Sequence, residues 1–165
     1  MLLSDEELID DLLRFQSEGY HQTKFKIGSD PQDWKGDLRR LEKARAALGD
    51  EFGIAVDANQ AWDAQTAFEF AKAAAPLKLS WFEEPVHAYD MDALSELRRL
   101  LDESGIRMEI AMGESVRSYH TFVEYARHGV DHLQPGNARM FSIGENMRVE
   151  QMAREKGLRC TEQLP

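Results

Sequence analysis

Residues 52–83 read FGIAVDANQAWDAQTAFEFAKAAAPLKLSWFE. A short β-rich run closes on Asp57, helical spacing follows over about 64–75, and a second β-rich run at about 79–83 closes on Glu83. Strand, helix and strand in so short a stretch make a βαβ unit, the building block of a parallel sheet. Working outward, the next strand-like run, MEIAMGE at 108–114, closes on Glu114, again about one strand-plus-helix unit further on. In a parallel α/β barrel the carboxyl ends of all strands meet on one face, where active sites are built. Three carboxylates converging there form an oxygen cage suited to a hard divalent cation such as Mg²⁺.

The rest of the chain repeats the alternation. Ser4 and Glu7 make an S-x-x-E capping box, and Leu8, Ile9, Leu12 and Leu13 follow at helical spacing until Gly19. A strand at about 22–27 leads through Gly28 and Pro31 into a helix striped by Trp34, Leu38, Leu41 and Leu48. Beyond the central unit, helices are expected at about 90–103, 118–128 and 143–156, and strands at about 107–112, 131–134 and 158–161. That makes about six strands and six helices. A complete (β/α)₈ barrel takes about 250 residues, so the 165 residues fit an incomplete TIM-type barrel or an open doubly wound sheet. An open sheet gathers its ligand site at one switch point. Here polar or ionisable residues close nearly every strand: Lys24 and Lys26, Asp57 and Asn59, Glu83 and Glu84, Glu114, and Gln163. That distribution favours the barrel, as one partial domain over residues 1–165.

Composition excludes several function classes. The net charge of −10 argues against nucleic acid or an anionic membrane as a partner. No apolar run approaches the roughly 18 residues of a membrane span, and the opening MLLSDEEL is too acidic for a signal peptide. The lone Cys160 rules out an internal disulfide and suits a reducing compartment, so a cytoplasmic location is expected.

Lys24 and Lys26 lie two apart on one strand and share a face. Their mutual repulsion and partial burial both lower an ammonium pKa, which gives a lysine able to act as a general base near neutrality. The alternative is a solvated edge strand whose lysines discourage aggregation. A lone strand-end carboxylate is more often a helix cap or an ion-pair partner than a ligand. Asp57 stands too far before the helix to cap it, however, and Asp63 is better placed. Asn59 shares the inward face of Asp57 and is a candidate to bind substrate. The five histidines, Trp62, Trp81 and Cys160 read as packing or surface residues.

Together, KFK at 24–26, VDANQAW at 56–62, WFEEP at 81–85 and MGES at 112–115 resemble the barrel domain of the enolase superfamily, in its mandelate racemase/muconate lactonizing subgroup. The resemblance spans about residues 4–165 and implies barrel strands two to seven. It implies Asp57, Glu83 and Glu114 as Mg²⁺ ligands, Lys26 as the base that removes the proton α to a substrate carboxylate, and Lys24 as its tuning neighbour. The reaction it implies passes through an enediolate, with dehydration of a sugar acid foremost and cycloisomerisation or epimerisation as alternatives. It also implies a homo-oligomer acting on a small carboxylate substrate. The departures are specific. Where racemases of the subgroup carry an Asp and a His as a second acid/base, this chain has Gly136 and Gln163, and the glycine pair that often follows is Phe141-Ser142. Two-base racemisation is therefore not expected, and Arg139, a cation near the missing Asp, is a candidate to bind substrate. A metal-binding remnant without catalysis and an open-sheet binding module remain as readings from other classes.

Overall fold

Strands and helices alternate along the chain in a computed structural model that describes residues 3–162. In chain order the helices and strands are α1 (Asp5–Ser17), β1 (Gln22–Lys26), α2 (Trp34–Leu48), β2 (Gly53–Asp57), α3 (Ala64–Ala74), β3 (Phe82–Glu83), α4 (Met91–Glu103), β4 (Ile110–Met112), α5 (Tyr119–Arg127), β5 (His132–Leu133), α6 (Asn137–Met140), α7 (Ile143–Lys156) and β6 (Arg159–Cys160). All strand pairings are parallel and the spatial order is β1-β2-β3-β4-β5-β6, the chain order. A sheet that adds each new strand beside the last winds in one direction without a switch point. This is an incomplete barrel, open at β1 and β6 among the described residues.

Local chemistry accounts for the helix starts. The side chains of Ser4, Asp33, Asp63, Asp90, Ser118 and Ser142 each accept a first-turn backbone N–H of α1, α2, α3, α4, α5 and α7 respectively. Each such cap stabilises its helix by about 1 kcal/mol. Ser4 and Glu7 form the expected reciprocal box.

Two expectations need correction. There are seven α-helices rather than six, because the four-residue α6 follows β5. One turn is too short for apolar periodicity, and Pro135-Gly136 read as loop punctuation. Regular pairing is also shorter than the β-rich runs. The run at 79–83 is extended, with Ser80 N–H donating to Ile54 O, yet only Phe82 and Glu83 pair with both neighbouring strands. Gln163 lies outside the described residues.

Register sorts the side chains into two layers, since paired residues of neighbouring strands point to the same side. Phe25, Val56, Phe82 and Ile110 form one row, facing the helices, and all are buried. Behind them Phe70 stacks between Trp62 and Phe82, with ring centroids 5.1 and 5.3 Å away, and Leu94, Leu97 and Leu101 of α4 fill the next layer. The alternate row is polar and is the basis of the site. None of the described helices is long and apolar enough to cross a membrane.

Candidate metal centre at the strand ends

The polar row runs Lys26, Asp57, Glu83, Ala111, His132 and Arg159, each the pairing partner of the next. Sheet register alone thus places Lys26, Asp57 and Glu83 side by side. Glu114 joins them from the loop after β4: ligand-capable atoms of Asp57, Glu83 and Glu114 all lie within 4.8 Å of one another. Asp57 and Glu83 are fully buried, while Glu114 is partly exposed.

Both lysines reach this cluster. Lys24 Nζ lies 2.6 Å from Glu83 Oε1 and 3.3 Å from Asp57 Oδ2. Lys26 Nζ donates to Asp57 Oδ2 at 2.5 Å and Asn59 Oδ1 at 2.7 Å, and stands 4.0 Å from Glu114 Oε2. The expected lowering by lysine–lysine repulsion is not what Lys24 experiences. Burial pulls its ammonium down, but its hydrogen bond and charge pairing with Glu83, then with Asp57, outweigh that and leave the group above the ordinary lysine value. The register row brings Glu83 to 2.6 Å and Asp57 to 3.3 Å from Lys24 Nζ, so attraction wins.

The two buried carboxylates are each divided between a fixed side and an open side. Asp57 Oδ1 accepts the backbone N–H of Asn59 at 2.9 Å, leaving Oδ2 to the lysines. Glu83 Oε2 accepts Trp81 Nε1–H at 3.1 Å and Gln134 Nε2–H at 2.9 Å, leaving Oε1 to Lys24. Donors on one oxygen orient the carboxylate and leave the other available, which is how outer partners aim a metal ligand. An all-oxygen set of three carboxylates suits a hard divalent cation. Three negative charges beside two ammonium groups also leave the cluster net negative.

The remaining candidates are more scattered. Asn59 is in the cluster through Lys26, with its backbone at φ 45°. Arg139 is exposed on α6, and no hydrogen bond or ion pair of its side chain occurs among the described residues. Gly136 is the N-cap residue of α6 and offers no side chain.

Several contributors were not evident from residue type and spacing. Trp81, expected only to pack, donates to Glu83, and Gln134 does the same from β5's far end. His132, expected at a surface or strand start, is fully buried. Its Nε2 pairs with Thr161 Oγ1 at 2.7 Å while Nδ1 has no partner among the described residues, and burial, then the charges of Arg159 and Lys24, push its pKa down to about 4. Glu84 is also fully buried beside Gln60 and Ser115. Burial pushes its carboxyl up, against the pull of hydrogen bonds from Gln60 and Ser115. Of these, only His132 and Gln134 carry a sequence signal: they alternate along one strand run, so one inward residue implies the other.

Similarity to known proteins runs along nearly the whole chain. The family described as enolase C-terminal domain-like matches residues 7–164. L-talarate/galactarate dehydratase of Salmonella typhimurium is 31% identical over 153 residues, covering 92% of this chain and 37% of the relative. The 3,6-anhydro-alpha-L-galactonate cycloisomerase of Streptomyces coelicolor is 36% identical over 116 residues, covering 70% of this chain and 30% of the relative. The crystal structure of L-talarate dehydratase from Polaromonas sp. JS666, complexed with Mg and L-glucarate, superposes with a TM-score of 0.88 at 28% identity. That superposition covers 99% of this chain and 44% of the other. The chain therefore spans less than half the length of each.

Proposed function

The chain belongs to the enolase C-terminal domain-like family, and on that premise we propose that it carries the cation site and the base of an enzyme that removes the proton α to a sugar-acid carboxylate. One observation carries the reading: Asp57, Glu83 and Glu114 meet within 4.8 Å, with two lysines reaching the same point. Asp57, Glu83 and Glu114 would hold Mg²⁺, the cation named in the solved dehydratase complex. Bound there, the cation supplies Lewis acidity that favours negative charge on a substrate carboxylate.

The chain's own residues have distinct tasks. Lys24, the more enclosed lysine, binds and orients the substrate carboxylate as a fixed positive charge. Lys26, whose side chain is the more exposed of the two, acts as base once its Nζ has given a proton to solvent, because an ammonium has no lone pair. Asn59 Oδ1 holds the Lys26 ammonium in line. Gly136 provides no acid/base, so the proton taken from the α-carbon returns through the same lysine. Dehydration satisfies that constraint. Lys26 Nζ takes the α-proton, the C–O bond to the β-hydroxyl breaks as the C=C bond forms, and Lys26 returns the proton to the departing oxygen as water. Arg139, on α6 beyond Gly136, would meet a distal polar group of the acid. Cycloisomerisation, the chemistry of the Streptomyces coelicolor relative, starts from the same proton abstraction and is the second reading.

Thermal unfolding with and without millimolar Mg²⁺ tests the site. A cation that binds only the folded state raises the melting temperature by mass action, by an amount that grows with its concentration. We expect such a rise in the parent and none in Glu83→Gln. A cooperative parent melt indifferent to Mg²⁺ would sink the cation site.

A further inference from the structure

Among the described residues, Glu114 is the one of the three carboxylates whose side chain accepts no hydrogen bond, and its only ion pair there, with Lys26, spans 4.0 Å. Repulsion from Asp57 and Glu83 acts on it with little to oppose it. Its position is set from the backbone, through its neighbours. Gly113 at φ 147° packs so closely that a Cβ there would lie 2.5 Å from Gln134 O. On the other side, Ser115 is tied to two residues of the neighbouring loops.

Those ties converge on one amide. Gln60 Nε2 donates to Glu84 Oε2 at 3.1 Å and to Ser115 Oγ at 2.9 Å, while Gln60 Oε1 accepts Ala88 N–H at 2.9 Å. The other oxygen of Glu84 accepts Ser115 N–H at 3.3 Å. Gln60 stands three residues after Asp57, Glu84 one after Glu83, and Ser115 one after Glu114. A single side chain therefore spans all three carboxylate-bearing loops without touching a carboxylate of the cluster. The backbone agrees: Gln60 N–H donates to Glu84 O at 2.8 Å, and Glu84 N–H to Ala111 O at 2.9 Å. Gln60 and Glu84 also hold φ of 65° and 40°, left-handed values that non-glycine residues adopt only when their surroundings impose them. The left-handed turns bring the two side chains together, Gln60 Nε2 to Glu84 Oε2 at 3.1 Å.

We propose that Gln60 and Glu84 form a positioning strap that holds Glu114 against Asp57 and Glu83, and so sets the site's affinity for a divalent cation. The inference rests on the cation reading of the preceding subsection. It makes a prediction that bulk stability does not. Exchanging the two side chains, Gln60→Glu with Glu84→Gln, keeps the charge and can remake every link. Glu at 60 accepts from Ala88 N–H, from the new amide and from the Ser115 hydroxyl, and Gln at 84 accepts Ser115 N–H.

Titration of the whole chain with Mn²⁺, reading free ion by electron paramagnetic resonance, separates the outcomes, with metal-free melting as the folding control. Partners that orient ligands are worth about 10–100-fold in metal affinity, so Gln60→Met and Glu84→Gln should each weaken binding about tenfold or more. The exchange variant should return to within about threefold of the parent. Should Gln60→Met not fold, Ser115→Ala removes the hydroxyl link and should weaken binding about tenfold, the low end of that range. Parent-like affinity in a folded Gln60→Met or Ser115→Ala, or a folded exchange variant that stays weak, overturns the strap. A folded parent that takes up no Mn²⁺ overturns the cation reading itself.

Discussion

The two halves of the strand-end rim are built differently. Around β2, β3 and β4, Asp57, Glu83 and Glu84 are fully buried, and their carboxylates meet lysine, indole, amide or backbone donors. Past β5 the rim is loose. Arg139 is exposed and makes no ion pair among the described residues, α6 has no side-chain cap, and Phe141, at φ 51°, is 82% exposed. One half concentrates charge and must satisfy it, since a buried unpaired charge or donor is expensive. The other half carries little charge toward the site, and water can solvate what it has. The difference teaches where burial constrains this chain: a substitution among the enclosed carboxylates leaves buried charge unpaired, while one at the exposed positions past β5 leaves groups that water can solvate.

The largest effect that would break this contrast is expected at Glu83. Glu83→Ala strips the acceptor from Trp81, Gln134 and Lys24 together, and losing one partner of a buried charge network costs about 3–5 kcal/mol. Urea unfolding without metal measures it; a variant as stable as the parent would mean that carboxylate repulsion already cancels those bonds. His132, fully buried on β5 where the two halves meet, provides a pH test of burial. Its folded pKa of about 4 lies below the ordinary value of 6.5, so below neutrality the unfolded chain binds the proton more readily. The stability contributed by neutral His132 is fully present above pH 6.5 and falls as pH drops, by about 3 kcal/mol at pH 4. In unfolding measurements, His132→Gln should lack that component; identical pH profiles would mean Nδ1 gains a partner on protonation. The smallest effect belongs to Phe141. Its left-handed backbone after α6 is one that glycine adopts freely, so Phe141→Gly should stabilise by about 0.5–1 kcal/mol in the same measurement. Destabilisation would mean that the exposed ring packs, and the loose half is less loose than described.

Much of this was legible in residue order because the relevant signals are local. Apolar runs ending on Asp57, Glu83 and Glu114, separated by helical spacing, specify βαβ units and an acidic rim. Capping residues such as Ser4 and Asp63 mark helix starts because their bonds span only three residues. Less was legible wherever partners are distant. Lys24 looks repelled by Lys26 along the strand, yet Glu83, 59 residues away, reverses the sign. Gln60 reads as one polar loop residue and becomes a strap only when Ser115, 55 residues on, is brought beside it.

The sequence by itself determined the alternation, the parallel sheet and the residue types at each strand end, since hydrophobic periodicity and turn chemistry act over a few residues. Only the tertiary structure decided which of those residues meet. Parallel register lines Lys26, Asp57 and Glu83 into one row and carries His132 into the interior. The order of partners around a carboxylate depends on strand offsets that no single segment encodes. Burial then fixes the protonation of groups such as His132, because desolvation is a property of the packed whole.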